Sequence, residues 1–437
     1  MKQLARALLI FSIALCIKKP VEASPIESFH KVFKGVKMRS QASAIYQTSN
    51  LDLKVGDLKH ADGSDLTQQE LQALDHKDGA GSYSATIMIE KKLNKNNALF
   101  LDLQFANGEG VDSTLQGGAM VNNDVMEDAN NPNKIYVAKA FYETKIAISD
   151  HYNLTFDIGK MGVNDFFDVG DENSDQSIQF LNQAIANNGA FDYVQDLDGH
   201  GYTYGSRVGV ANNVFGVDVG FFSSDAHLEN IHQKYSLLGA ITLTPKFGDF
   251  EGKYQFYVFS NRGEYAAFDA NGALLTHNAD AINSVNNADH LNKNGFGLSF
   301  TQAVLNHVNI FAKYGQQDDD RDVRHYQDMD ESYMLGANFS GELWSHYPDQ
   351  IGIAYEIGKL TGNHRKAHEK GYAGLFDRSA GVGVNNYADE HVMELYYKFG
   401  FQHNTSFTVD FQNISNFYYS QKIGSVQLIA GRLTTLF

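Results

Sequence analysis

The sequence contains few of the residues that mark several common classes of protein. It has one cysteine, one tryptophan and five prolines among 437 residues, and its mean hydropathy is −0.34. A single cysteine excludes an intramolecular disulfide framework. Beyond the N-terminal segment no run approaches 18 apolar residues, which argues against a transmembrane helix. Glycine (39), tyrosine (23) and phenylalanine (30) are abundant, and the formal net charge of −17 argues against nucleic-acid binding.

The N-terminal segment is typical of a secretory signal peptide. Lys2 and Arg6 precede eleven largely apolar residues, and Ala23 ends a small-residue cleavage motif. We therefore expect residues 1–23 to be removed, and the only cysteine, Cys16, with them. Because this segment carries a net charge of +3, the mature chain would carry −20. An uncleaved membrane anchor is the alternative, but eleven apolar residues are too few to span a bilayer.

From about residue 38 the apolar residues recur at every second position. The clearest segments are 99–105, 154–158, 215–221, 351–357 and 407–412. One face of each is apolar or aromatic and the other is glycine, alanine or polar, as in a strand between lipid and a wet lumen. A soluble sandwich gives a similar pattern in any one strand. Many runs reach about ten residues, which favours tilted membrane strands.

These strands group into seven hairpins with short turns. The predicted pairs are 84–93/97–106, 135–148/153–160, 202–211/214–222, 235–244/250–259, 295–304/308–316, 331–342/350–358 and 390–400/406–413. A first strand near 38–46 and a last near 424–437 bring the count to sixteen, and no proline falls inside a strand. The prediction is an all-β, transmembrane antiparallel barrel over residues 38–437, with short periplasmic turns and long extracellular loops.

Two segments depart from this alternation and carry helical signals. Residues 24–37 begin with a capping box that has proline at the first helical position, which predicts a short amphipathic helix. In the third loop, residues 175–186 place three apolar residues on one helical face before an Asn-Asn-Gly stop. We expect this loop, residues 161–201, to fold inward and constrict a pore.

The third loop also carries the most specific motif in the chain. It reads Gly159-Lys160-Met161, Phe166-Phe167-Asp168, Gln179-Phe180-Leu181-Asn182 and Asn187-Asn188. This pattern resembles the carbohydrate-selective porin family, the OprB-like porins, in which a strand-ending Gly-Lys precedes a Phe-Asp turn and a Gln-Phe-Leu-Asn segment. The closing strands, from Glu390 to Phe437, look similar to that family as well. The resemblance implies an outer-membrane porin of sixteen strands that passes carbohydrates.

If the apolar faces meet lipid, the opposite faces line the lumen and carry charges of both signs. The predicted substrate-binding or pore-lining residues are Lys139, Glu143, Asp157, Lys160, Phe166, Phe167, Asp168, Phe180, Arg207, Asp218, Lys253, Lys313, Glu356, Glu394, Lys398 and Arg432. Guanidinium groups can donate hydrogen bonds to sugar hydroxyls, and aromatic rings offer a flat face to a sugar ring. The alternative for each charge is that it only solvates the lumen or pairs across the wall.

The sequence predicts no cofactor, no metal site and no enzymatic activity. Acidic stretches at 318–322 and 196–199 match no complete calcium-loop signature. Serine-hydrolase and zinc-protease motifs are absent. The expected partners are small sugars or polar solutes, outer-membrane lipid and lipopolysaccharide, and the barrel-assembly machinery through the C-terminal Phe437, with no nucleic acid.

These predictions combine into one function, which is facilitated diffusion of carbohydrates or similar small polar solutes through a water-filled barrel in the outer membrane. Three alternatives stay open at this point. One is a general, cation-leaning porin without a sugar site. Another is a surface barrel with an adhesive or structural role, and the third is a barrel hydrolase.

Overall fold

The structure is a computed structural model of the chain. It describes residues 35–50, 59–60, 79–108, 110–111, 118–122, 134–192, 202–225, 227–265, 267–273, 275, 290–321, 328–370, 382–383, 386–401, 404–421 and 424–437. The chain divides into two compact units, Met1–Lys37 and Met38–Phe437. The predicted signal peptide lies outside the described residues, as does the predicted helix at 24–37 apart from its last three residues, two of which already belong to the first strand.

Sixteen strands make up most of the described residues. They are β1 (Val36–Ser49), β2 (Gly79–Lys92), β3 (Asn97–Asn107), β4 (Ile135–Ala147), β5 (Asn153–Gly162), β6 (Tyr202–Ala211), β7 (Phe215–Ser223), β8 (Tyr235–Leu243), β9 (Phe250–Glu264), β10 (His290–Leu305), β11 (Val308–Gln317), β12 (Glu331–Ser340), β13 (Gln350–Lys359), β14 (Glu390–Gly400), β15 (Thr405–Ser415) and β16 (Ser425–Leu436). Strand β16 pairs with β1, placing Gln41 opposite Leu436, so the sheet closes on itself. The predicted sixteen-stranded antiparallel barrel is confirmed.

Side chains alternate between the two faces of the wall. On β12, Leu335 is 62% exposed and its neighbour Met334 only 3% exposed. On β7, Val219 is 57% exposed and Asp218 only 9% exposed. The outer band of exposed apolar residues suits hydrocarbon, and the polar residues point inward. Within the described ranges, no helix is both long enough and apolar enough to cross a membrane.

The connections differ at the two ends of the barrel. Turns at one end span two to nine residues, and the loops at the other end span nine to 39 residues. We name the long loops L1 to L8 in chain order, so that L2 is 108–134, L3 is 163–201, L5 is 265–289, L6 is 318–330, L7 is 360–389 and L8 is 416–424. Strands β9 and β10 each extend five residues beyond their predicted ends, so that L5 is shorter than predicted.

A helix in the third loop is confirmed, but it is shorter than the predicted span of residues 175–186. Only α1 (Gln183–Ala186) is helical, and Asn182 is its N-cap. The physical reason is competition for the peptide groups of this segment. Glu394 on the wall accepts from two of its N–H groups, and Arg432 donates to two of its carbonyl groups. Because the wall satisfies these peptide groups, the residues just before α1 need no helical hydrogen bonds, and the segment begins instead with a turn in which the N–H of Gln179 donates to the carbonyl of Asp175 (2.7 Å). A second helix, α2 (Gly362–Glu369), lies in L7.

Candidate functional site

Loop L3 lies inside the barrel and contacts distant strands. Thr434 on β16 donates a hydrogen bond to the carbonyl of Ser177 (2.6 Å). Asn188 at the other end of the loop donates to the carbonyl of Tyr314 on β11 (2.8 Å). L3 therefore reaches across the lumen from β16 to β11, and its role as a pore constriction stays a prediction.

Asp168 joins two parts of L3 to the wall. Its backbone is left-handed (φ 61°), a conformation that non-glycine residues seldom adopt. Its carboxylate accepts from the Lys313 ammonium (3.0 Å), the Ser299 hydroxyl (2.6 Å) and the backbone N–H of Asn188 (2.7 Å). Lys313 also donates to the Ala186 carbonyl (3.2 Å). These buried, charge-assisted contacts fix the start and the end of L3 against β10 and β11.

Arg432 and Glu394 hold the middle of L3. The Arg432 guanidinium donates to the carbonyls of Gln176 and Gln179, the second at 2.7 Å. Glu394 accepts from the backbone N–H groups of Leu181 (2.5 Å) and Asn182 (3.0 Å). Both side chains are fully buried. They act on the peptide backbone of L3 and leave no surface for a solute.

Two phenylalanines of the third-loop motif are also anchors. Phe180 lies edge-on to Phe311 (ring centroids 5.5 Å apart) and to Tyr396 (4.9 Å). Phe167 lies edge-on to Phe222 (6.3 Å). Phe167 and Phe180 are fully buried, so their rings stabilise the loop by packing.

Glycines on the inner face of the wall make room for these rings. A side chain at Gly336 would collide with the ring of Phe311, and one at Gly352 would collide with the ring of Tyr396. Glycine inside a strand commonly marks such a close approach. The glycine content of the strands is therefore part of how L3 is seated.

Loop L2 enters the lumen too, which the sequence analysis did not predict. The backbone carbonyl of Met120 accepts from the N–H of Gln183 on α1 (2.9 Å), and Gln412 donates to the Val121 carbonyl (2.8 Å). Ala119 and Val121 are buried. The signal was present as a short apolar run between glycines and asparagines in an otherwise polar loop.

Arg207 forms the centre of a different group. It pairs with Asp157 on β5 (2.7 Å) and with Asp218 on β7, to which its Nε also donates (2.9 Å). Its guanidinium lies 4.5 Å from the ring centroid of Phe166, which comes from L3. Gln255 fixes Phe166 by donating to its carbonyl (2.9 Å). The Arg207 side chain is 17% exposed, so this stacked pair reaches water.

Further predicted charges are also partly exposed to water. Lys139 pairs with Asp165 (2.6 Å), and Lys253 pairs with Asp171 (3.1 Å), whose side chain is 59% exposed. Lys398 donates to a side-chain amide of its neighbouring strand (2.8 Å). Each of these pairs leaves polar surface toward the lumen.

The remaining predicted residues neither hold L3 in place nor present polar surface to the lumen. Glu143 pairs with Lys145 (3.0 Å) near the short-turn end of the wall. Glu356 is buried and accepts from the Ser332 hydroxyl (3.0 Å). Lys160 shares the strand parity of the exposed Ile158, so its side chain starts on the outer face of the wall. Its prediction as pore-lining is not supported, because one residue along a strand reverses the face.

The acidic stretch at 318–322 is bonded within the protein over its described part. Asp318 accepts from the backbone and the side chain of Asn294 (both 2.9 Å), and Asp319 accepts from the Thr361 hydroxyl (2.9 Å). Across the described residues, no group of three or more His, Cys, Asp or Glu side chains is arranged to hold a metal ion. The stretch at 196–199 lies outside the described residues.

A closed sixteen-stranded barrel with inward polar faces and a loop folded across its lumen defines an outer-membrane porin. The chain belongs to the carbohydrate-selective porin, OprB family, whose profile matches residues 101–437. It is a channel that passes small solutes and not an enzyme, and the family and fold place it as an integral protein of the outer membrane.

Solved structures are similar to this fold. Pseudomonas putida OprB at high pH aligns with a TM-score of 0.67 at 14% identity, over 94% of this chain and 96% of that one. The low-pH structure of the same protein aligns with a TM-score of 0.48 at 12% identity, over 96% of this chain and 100% of that one. OmpT of Vibrio cholerae aligns with a TM-score of 0.48 at 11% identity, over 92% of this chain and 97% of that one. A search of curated proteins found no match.

Proposed function

We propose that this porin passes carbohydrates or similar small polar solutes by facilitated diffusion, with Arg207 and Phe166 as the main solute contact. The observation that carries the proposal is the stacked guanidinium and ring, 4.5 Å apart and partly in water. Most other predicted residues of L3 and the wall beneath it are buried and bonded to each other. The family name supports carbohydrate as the solute class.

The chemistry of this pair suits a sugar. Arg207 has five N–H donors, of which its bonds to Asp157 and Asp218 use three. The other donors can bind hydroxyl oxygens, and the ring of Phe166 can contact the apolar face of a pyranose. The two carboxylates hold the guanidinium plane in place before the solute arrives. Weak contacts of this kind raise the local solute concentration without trapping the solute.

The test is saturable block of ionic current by neutral mono- and disaccharides in planar bilayers. Phe166→Leu keeps apolar volume and removes the ring, so we expect weaker sugar block with little change in ion conductance. Arg365→Leu is a matched control, since Arg365 also stacks on a ring (Tyr387, 4.0 Å) but lies in L7. Equal sugar block in wild type and Phe166→Leu would contradict the proposal.

A specific observation favours a second candidate, a cation-leaning general porin. Four carboxylates, those of Asp165, Asp171, Glu172 and Asp175, follow one another on the part of L3 that is not fully buried. They would attract cations into the lumen. A reversal potential that favours potassium over chloride, with current indifferent to every sugar, would select this candidate over the first. A correctly folded barrel without any conductance would contradict both and point to a structural role.

The remaining steps of export and assembly are also proposals. We expect cleavage after Ala23, which the N-terminal mass of the mature protein would test. We expect lipopolysaccharide around the long loops, and recognition of Phe437 by the assembly machinery. Phe437 donates its N–H to the Ser40 carbonyl (2.8 Å) while its side chain is 53% exposed, which suits recognition at the seam. Deleting Phe437 should lower the amount of folded barrel in the outer membrane.

A further inference from the structure

A buried histidine lies where L5, L6 and L7 meet. His364 is on α2, and its Nδ1 makes a hydrogen bond with the carboxylate of Asp330 (2.9 Å). Its Nε2 forms an ion pair with the carboxylate of Asp328 (3.1 Å). The ring of Phe268 stacks on the imidazole, with centroids 5.8 Å apart. The three polar side chains are at most 2% exposed.

The geometry favours the imidazolium, because Nδ1 is hydrogen-bonded to Asp330 and Nε2 lies 3.1 Å from a carboxylate oxygen of Asp328. A carboxylate only accepts hydrogen bonds, and a neutral imidazole has one donor and one lone pair. In the neutral form one nitrogen would therefore point a lone pair at a carboxylate oxygen. Burial alone lowers the pKa of His364, but Asp330 and Asp328 outweigh it and raise the pKa to about 10. The imidazolium thus persists well above neutral pH.

A hydrogen-bonded path runs from this histidine to the constricting loops. The backbone N–H of Asp328 donates to the Gly118 carbonyl of L2 (2.7 Å). The hydroxyl of Tyr419 in L8 donates to the Asp328 carbonyl. Two residues after Gly118, L2 bonds through Met120 to α1 of L3. The ion pair between His364 and Asp328 is therefore connected, through Gly118 and Met120 of L2, to α1 of L3.

We propose that His364, as the imidazolium, is a positioning residue that locks the extracellular mouth of the pore and keeps L2 and L3 in place. The proposal rests on the porin function but not on carbohydrate as the solute. The other titratable or charged groups packed around this site are Asp319 and Arg321 of L6, Asp269 of L5, Arg365, Lys366, His368 and Glu369 of α2, Tyr387 of L7, Glu356 of β13, Glu390 of β14 and Tyr419 of L8.

The sign of the pH dependence follows from the raised pKa. The protonated His364 stabilises the folded loops. This stabilisation is complete below pH 6.5, the ordinary pKa of histidine, and is lost as the pH rises toward the folded-state pKa of about 10. Asp330→Asn keeps a hydrogen-bond acceptor but removes one charge. The variant should therefore lower the pKa of His364, so that the stabilisation by the imidazolium is lost at a lower pH. A purely steric role for His364 would give no shift in this pH.

The experiment is single-channel recording in potassium chloride without sugar, from pH 6 to 10. Wild type should be quiet at pH 7.4 and show reversible interruptions only near the top of this range. His364→Gln should spend at least about ten times longer in interrupted states at pH 7.4, because two buried carboxylates lose their cation. Asp330→Asn should begin to flicker at lower pH than wild type. His232→Gln, on an exposed loop position, is the matched control and should behave as wild type.

Quiet channels from folded His364→Gln at pH 7.4 would overturn the proposal, and so would an identical onset pH in wild type and Asp330→Asn. If His364→Gln does not fold, Asp330→Asn and wild type still decide the matter. A nitrogen-15 spectrum of labelled histidine gives an independent reading, since one imidazolium signal should persist at pH 8.5. Absence of such a signal would also overturn the proposal. Loss of sugar block without any change in flicker would leave it intact and count against the carbohydrate site alone.

Discussion

Lys313 and Arg207 both project from the inner face of the barrel and both pair with aspartate, yet they act on different partners. The Lys313 side chain is 2% exposed and bonds to L3, through Asp168 and a backbone carbonyl. The Arg207 side chain is 17% exposed, bonds to carboxylates of the wall itself, and stacks on a ring. We propose that the position of the neutralising partner separates these two cations. The partners of Arg207 lie on the wall and leave its guanidinium to the solute, whereas the partner of Lys313 lies on L3, so that Lys313 holds the loop.

The largest effect is expected for Arg432→Met. The change removes both bonds to the middle of L3 and leaves the neighbouring buried carboxylates without their cation, a loss of about 3–5 kcal/mol. We expect a lower unfolding temperature, a larger single-channel conductance and loss of sugar block. Arg39→Met, at an exposed position on β1, is the control. An unchanged conductance would show that Arg432 does not hold the constriction.

Lys313→Met should be the next most severe change, since it leaves the buried Asp168 carboxylate without its ammonium. We expect a loss of about 3 kcal/mol in the free energy of unfolding. Adding Asp168→Asn should recover part of this loss, because the neutral amide no longer requires a counterion. Thermal unfolding of the two single variants and the double variant measures the coupling. Strictly additive losses would mean that the two side chains do not act as a pair.

Arg207→Lys tests the solute side of the comparison. The variant keeps the charge but loses the planar fork that stacks on Phe166, so sugar block should weaken by about 1 kcal/mol, or roughly fivefold. Ion conductance and unfolding temperature should change little. A variant that loses stability but keeps wild-type sugar block would place Arg207 with the anchors instead.

The smallest effect is expected for Lys160→Ala. Lys160 sits on the outward parity of β5, so its removal should leave sugar block within about 0.5 kcal/mol of wild type. The same bilayer titration measures it. Weakened block in this variant would mean that the side chain turns back over the strand end into the lumen.

The wall could be predicted from the sequence, whereas the seating of L3 could not. A period of two fixes which residues face lipid, and a one-residue error would have reversed Leu335 and Met334. Nothing in that period separates Arg207 from Lys313, because both occupy inward positions. The distinction depends on which segment of L3 lies above each residue, and this is a contact between residues far apart in the chain.

The helix in L3 is shorter than predicted for a related reason. Residues 175–186 have helical spacing, but Glu394 and Arg432 satisfy their peptide groups from more than 200 positions away. Local propensity is a weak prior where such tertiary bonds compete with it. For L2, the apolar Ala119 and Val121 in a polar loop offered a usable signal, since a loop that stays in water has little need of them.

The anchors of the constriction also set an order of events in biogenesis. L3 is synthesised in the first half of the chain, but Glu394 and Arg432 belong to β14 and β16, which emerge last. The seam between β1 and β16 closes over residues nearly the whole chain apart. Narrowing of the lumen and closure of the cylinder therefore depend on the same late strands. A folding intermediate without them would lack both the sealed wall and the side chains that hold L3 inside it.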